Sequence, residues 1–184
     1  MQDGTLCFLV RGSPPEQVLL GYKKVGFGAG KVDGFGGKIE PDESVGAAAM
    51  RELEEECGVR IREDAMRAVA RLDFRFPYHP AWSQIVYAFV ATSWDGEPVE
   101  TDEMVPRWFA VADIPYGRMW QDTPFWLPRV LAGECLRGRF VFASDNESVE
   151  QAEVLEWDGQ WPESAVSRSE QIEGKEGSRA GEVA

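Results

Sequence analysis

The chain has 184 residues, enough for one domain with an appendage and short for two. Apolar residues make up 43% of it, sufficient for a core, while a formal charge of −13 argues against a nucleic-acid polymer as partner, because such partners need a basic face. Three cysteines far apart, a single histidine and no apolar run of bilayer length exclude a disulfide framework, a multi-histidine metal site and a membrane span, and point to reduced thiols in the cytoplasm.

Residues 5–10 are apolar and strand-like, Ser13-Pro14-Pro15 break them, and residues 18–22 read as the returning strand of a hairpin. Lys23 and Lys24 follow, and read equally as surface lysines or as neutralisers of phosphate. Residues 25–37 form a glycine-rich loop that can turn sharply and come close to a ligand. It is not a Walker A loop, because no Gly-Lys-Ser/Thr closes it. Pro41-Asp42-Glu43-Ser44 then carries helix-start signals, with Asp42 or Ser44 as cap. Val45, Ala49, Leu53 and Cys57 recur at i+4 as an apolar stripe, and Gly58 suits the position after the last turn.

Residues 61–67 read as a short polar connection, and residues 68–76 and 84–91 as strands. His79 lies between them in FPYHPAW, a Pro- and aromatic-rich loop, and reads as a loop residue. Trp94-Asp95-Gly96 marks a turn, residues 105–111 a short strand and Ile114-Pro115-Tyr116 another turn. Asp122-Thr123-Pro124 opens a helix over residues 125–132, residues 138–143 form a strand and residues 149–157 a weaker one. Residues 145–184 carry 11 Asp+Glu against 3 Lys+Arg, a net of −8. The domain is therefore assigned to residues 1–158. Residues 159–184 are an acidic, Gly/Ser/Glu-rich tail, expected to be disordered for want of apolar residues to offset ordering entropy. Strands around one central helix, with a second helix late, predict an α+β sandwich with a mixed sheet.

The chemistry concentrates in the first helix. Glu52, Glu55 and Glu56 stand at i, i+3 and i+4 behind Arg51, three carboxylates within one turn. Like pairs at this spacing cost a few tenths of a kcal/mol on an exposed helix. Taken alone, RELEEE would read as a solvated face; hard divalent cations, which take carboxylate oxygens and water, give it a purpose.

The wider pattern carries a resemblance. Gly37, five residues, Glu43, seven residues, and then Arg51-Glu52-Leu53-x-Glu55-Glu56-x-Gly58-Val59 fills every fixed position of the Nudix box. VLLGYKKVGFGAGKVDGFGGKIE, GEPVETDEMVPRWF, IPYGRMWQDTPFWLP and GRFVF are further similar to the animal-type MutT homologues, the oxidised purine nucleoside triphosphate hydrolases or 8-oxo-dGTP diphosphatases. The resemblance implies the Nudix fold, an α/β/α sandwich with a central mixed β-sheet. It implies Mg²⁺-dependent hydrolysis, with Mn²⁺ as a substitute, of oxidised purine nucleoside triphosphates to monophosphate and pyrophosphate, by a monomer.

Carried onto this chain, it implies that the Gly36 carbonyl, Glu52, Glu55, Glu56 and Glu103 bind metal, with Glu100 a weaker candidate. Glu56 is the expected general base, with Glu52 and Glu103 behind it. Gly37, Glu43, Arg51 and Gly58 serve the motif structurally. Lys23, Phe27, Asp33, Phe74, Phe76, Trp120, Asp122 and Thr123 are the expected substrate contacts, Trp120 stacking on the base unless it is plain core, while Trp108 and Trp126 are assigned to packing. Three positions depart from the family pattern: Asp33 replaces an asparagine, Thr123 an aspartate and Val32 a tryptophan. An ionised Asp33 only accepts hydrogen bonds, where asparagine also donates. Two rival readings remain: a pyrophosphohydrolase of other modified or ordinary nucleotides, or a non-catalytic nucleotide-binding module acting through its tail.

Overall fold

Among the described residues, eight strands and two α-helices follow in chain order: β1 (Gln2–Arg11), β2 (Gln17–Lys23), β3 (Val32–Asp33), α1 (Val45–Cys57), β4 (Met66–Arg75), β5 (Gln84–Ala91), β6 (Met104–Ala110), α2 (Thr123–Leu131), β7 (Leu136–Phe142) and β8 (Val149–Glu156). The structure is a computed structural model and describes residues 2–159, so the expectation for the tail falls, but for Gly159, outside the described residues. All strands join one sheet in the order β3-β2-β1-β5-β4-β7-β8, with β6 paired to β2. β1 with β5 and β4 with β7 run parallel, and the other pairs antiparallel, so the sheet is mixed.

Each face of the sheet buries one helix. Val45, Ala49, Leu53 and Cys57, the i+4 stripe of α1, pack with Cys7, Leu9, Leu19 and Phe89. Trp126, Leu127, Val130 and Leu131 of α2 pack on the other face with Phe8, Leu20, Leu72 and Phe140. The expected sandwich is thus the observed one. Among the described residues, no helix is long and apolar enough to cross a membrane.

Ser44, not Asp42, caps α1: its hydroxyl accepts from the Ala47 amide at 3.1 Å. Gly58 ends the helix in the left-handed region (φ 72°), its amide bonded to the Glu54 carbonyl. Two local expectations need correction, on the connection before β4 and on the start of α2, and the expected turn at Trp94-Asp95-Gly96 gains a tether. Residues 61–67 hold a 3₁₀ turn (Glu63–Ala65), and β4 already begins at Met66. Asp95 exchanges two backbone hydrogen bonds with Arg60, so Trp94-Asp95-Gly96 is pinned to the end of α1. α2 starts at Thr123, because Pro124 fits the first helical turn; Asp122 precedes it without capping it.

The glycine-rich loop supplied β3, which its composition did not announce, and then a segment laid along β1. The Thr5 amide donates to Gly37 O, and Cys7 and Phe35 exchange backbone bonds. A Cβ on Gly36 would collide with the Thr5 carbonyl, so only glycine allows this approach. Replacing the cap, Ser44→Ala, should cost about 1 kcal/mol of stability in urea unfolding, and Ser44→Gly only a few tenths. No loss in Ser44→Ala would mean that the hydroxyl contributes nothing as a cap.

Candidate active site

One cavity of about 560 Å³ opens where β1, the glycine-rich loop, α1 and the start of α2 meet. One end is acidic. Glu52, Glu56 and Glu103 line it, together with Lys23, Gly36 and Gly37. The Glu56 carboxylate is 1% exposed. One of its oxygens accepts from Lys23 Nζ at 2.9 Å and the other from the Gly36 amide at 2.7 Å. Burial raises its pKa, and Lys23 offsets this in part. Burial likewise raises that of Glu52, against the pull of Arg51. Glu52 lies so close to the loop that a Cβ on Gly37 would stand 2.5 Å from its Oε1.

Arg51 organises this end without lining the cavity. Its Nε and Nη2 clamp Glu43 at 2.9 and 3.1 Å. Its Nη1 reaches Glu52 at 2.9 Å and Glu55 at 3.1 Å, and Nη2 also donates to the Lys38 carbonyl. The clamp holds the Glu43 carboxyl below its usual range. Glu55 is drawn to Arg51, 57% exposed, and does not line the cavity. Glu100 pairs with Lys24 instead.

Among the described residues, no three acidic, histidine or cysteine side chains form a ready cluster around an ion, because Lys23 and Arg51 hold the glutamates as ion pairs. The donor set nevertheless fits a hard divalent cation, since every candidate ligand is an oxygen. Beside these carboxylates, the loop bonds to β1 through the Phe35 and Gly37 carbonyls, and among the described residues no backbone hydrogen bond goes to that of Gly36.

The other end is aromatic. Phe27 stacks on Trp120 at 5.0 Å between centroids. Phe76 meets both edge-on and stacks on Phe142 at 4.2 Å. Phe74 closes the wall. Trp82 completes the lip, at 5.3 Å from Phe27, with His79 stacked on it at 4.1 Å. Sequence reasoning missed Trp82, which stands on a 3₁₀ turn (Pro80–Trp82) of a loop with no periodic signal. Asp33, Asp122 and Thr123 line the floor. Trp126 belongs to the core as expected, and also donates its Nε1–H to Asp122 at 2.8 Å. Burial pushes Asp33 up to about 7, with Asp122 adding to the shift, and Asp122 itself up to about 6.

Residues 2–130 match the sequence profile of the NUDIX domain. The chain is 41% identical over 150 residues to the oxidized purine nucleoside triphosphate hydrolase of Danio rerio, covering 82% of this chain and 94% of that one. Its identity to the protein of the same name from Mus musculus is 39% over 142 residues, covering 77% and 89%. Among solved structures, a MutT protein from Bacillus halodurans superposes with a TM-score of 0.70 at 22% identity, covering 84% of this chain and 97% of that one, which bears on the fold alone.

The raised Asp33 carboxyl has a consequence for stability. Its folded-state pKa exceeds the unfolded value, so the folded protein holds a proton that the unfolded chain releases between about pH 4 and 7, and stability falls as pH rises through that window. Asp33→Asn should therefore gain stability relative to the parent as pH rises from 4 to 7, measured by urea unfolding. A difference constant with pH would show that Asp33 titrates alike in both states. With the box, its cavity and the profile match in agreement, the chain belongs to the Nudix family of hydrolases.

Proposed function

We propose that the protein is a Mg²⁺-dependent pyrophosphohydrolase that converts oxidised purine nucleoside triphosphates, such as 8-oxo-dGTP or 2-oxo-dATP, to the monophosphate and pyrophosphate, clearing them from the cytoplasmic nucleotide pool. The observation that carries this reading is the union, in one cavity, of a buried carboxylate end and an aromatic end floored by two protonatable carboxyls. The names of the zebrafish and mouse relatives support it.

Nudix hydrolases generally work with divalent cations. Here Glu52, Glu56, Glu103 and the Gly36 carbonyl would hold one, with Glu55 at the margin once freed from Arg51. Such an ion would supply charge neutralisation for a polyphosphate and a lowered pKa for the attacking water. Glu56 takes the proton of the attacking water. Burial has already raised its proton affinity toward that needed for a base at neutral pH. The Glu52 charge adds to the rise at Glu56, so these two carboxyls are coupled. Lys23 lies between the two ends and exchanges its bond to Glu56 for a phosphate oxygen. Arg51 and Glu43 keep the loop and Glu52 in register.

At the aromatic end the base stacks on Trp120, with Phe27, Phe74 and Phe76 as walls. Asp33 and Asp122 read its edge. Near pH 7 Asp33, pushed to about 7, is close to half-protonated and offers a donor as well as acceptors, while Asp122, at about 6, is mostly ionised and accepts. Thr123 can serve either way.

Pyrophosphate release in Mg²⁺ should favour 8-oxo-dGTP or 2-oxo-dATP over dGTP and dATP in kcat/KM. Equal values for all four would remove the preference for the lesion and leave a pyrophosphohydrolase of ordinary nucleotides. Glu56→Gln should lower kcat by about 10²–10⁴-fold. Trp120→Ala should lower kcat/KM about 5–150-fold, the equivalent of about 1–3 kcal/mol of stacking. A chain that binds triphosphates but releases no pyrophosphate would instead be a binding module.

A further inference from the structure

We propose that Glu147, on the turn between β7 and β8, is a positioning residue for base recognition, acting through Lys31 on Trp120. This rests on the reading of the aromatic end as a purine site.

Phe76 and Phe142 meet Trp120 edge-on, and one loop adds two further contacts. Phe27 stacks on Trp120, and Lys31 Nζ stands 4.6 Å from its ring centroid, a cation–π contact. Both residues belong to the segment in which Gly26, Gly28 and Gly30 take φ values of 77°, 81° and 90°. That segment is closed by short-range bonds from Ala29 to Gly26 and from Lys31 to Gly28. A loop so rich in glycine holds its side chains only as well as something outside it holds them. The Lys31 backbone is tied to β2, its carbonyl accepting from the Lys23 amide at 2.9 Å, and the anchor of its side chain is Glu147 Oε2, at 2.6 Å.

The anchor is itself fixed. The Asp145 carboxylate accepts from the Glu147 amide at 3.0 Å, the Ser148 amide at 2.9 Å and the Ser148 hydroxyl at 2.6 Å. Asn146 turns the chain at φ 57°, and the amides of Ala143 and Asn146 close the turn. Among the described residues, Glu147 is the sole ion-pair partner of Lys31. The Lys31 charge also acts on Asp122, whose proton affinity it lowers. Glu147 therefore sets where a cation sits between the stacking ring and the carboxyl that reads the base edge. It lies beyond residues 2–130 of the profile match and touches no part of the acidic end.

The test is steady-state kinetics of the full chain and Glu147→Gln, with 8-oxo-dGTP and with 2-deoxyribose 5-triphosphate, which has the same phosphates and no base. The variant should show KM raised about three- to fivefold for 8-oxo-dGTP with kcat within about twofold, as suits loss of one half-exposed ion pair. Its kinetics on the baseless triphosphate should be unchanged, and Glu147→Asp should restore KM. An unmoved KM for 8-oxo-dGTP, or an equal rise for both substrates, overturns the role. If the parent neither binds nor turns over purine triphosphates, the purine reading fails and this inference with it; turnover with an unmoved KM overturns the inference alone.

Discussion

The Glu56 carboxylate is an ion taken out of water, and the site is built around compensating it. Burying a charge without a partner costs several kcal/mol, and removing one member of a buried pair typically costs about 3–5 kcal/mol. Here the partners come from two elements distant from α1 in sequence: Lys23 at the end of β2 and the Gly36 amide in the loop on β1. Their convergence requires α1 to lie on β1 with Glu56 facing inward, which its i+4 stripe secures. It also requires the loop to run against β1, which only glycine at position 36 permits. Arg51 performs the corresponding task for Glu52, and ties both to the helix start through Glu43.

The two ends of the cavity share one electrostatic device in different degrees. At the acidic end, burial raises carboxylates that cations then restrain. At the aromatic end, burial raises Asp33 to about 7 and Asp122 to about 6. The first arrangement suits proton abstraction and polyphosphate, and the second suits a heterocycle edge that both donates and accepts. At Asp33, burial restores a donor that an ionised carboxylate lacks.

What the sequence disclosed follows interaction range. α1, its cap, its terminating glycine and the β1–β2 hairpin depend on neighbours within a few residues, and were legible. The parallel pairings of β1 with β5 and β4 with β7 join strands far apart in the chain, and no local pattern encodes them. The acidic end was legible from the spacing of Glu52, Glu55 and Glu56, but the diversion of Glu55 to Arg51 was not, since it depends on rotamers. Asp33, Trp120 and Asp122 emerged only through resemblance. Trp82 and Glu147 had neither periodicity nor resemblance to mark them, and Lys31 meets Glu147 across 116 residues of chain.

On the function proposed above, a divalent cation would take over the Glu56 carboxylate that Lys23 holds. Thermal unfolding of Lys23→Met with and without Mg²⁺ tests it without recourse to activity. The variant without Mg²⁺ should melt below the parent, because Glu56 loses its compensating charge. Mg²⁺ should then raise its melting temperature by more than it raises that of the parent, because the ion no longer competes with an ammonium and binding stabilises the folded state in proportion. A Mg²⁺-induced rise no larger than the parent's would contradict the account and remove Glu56 from the metal site.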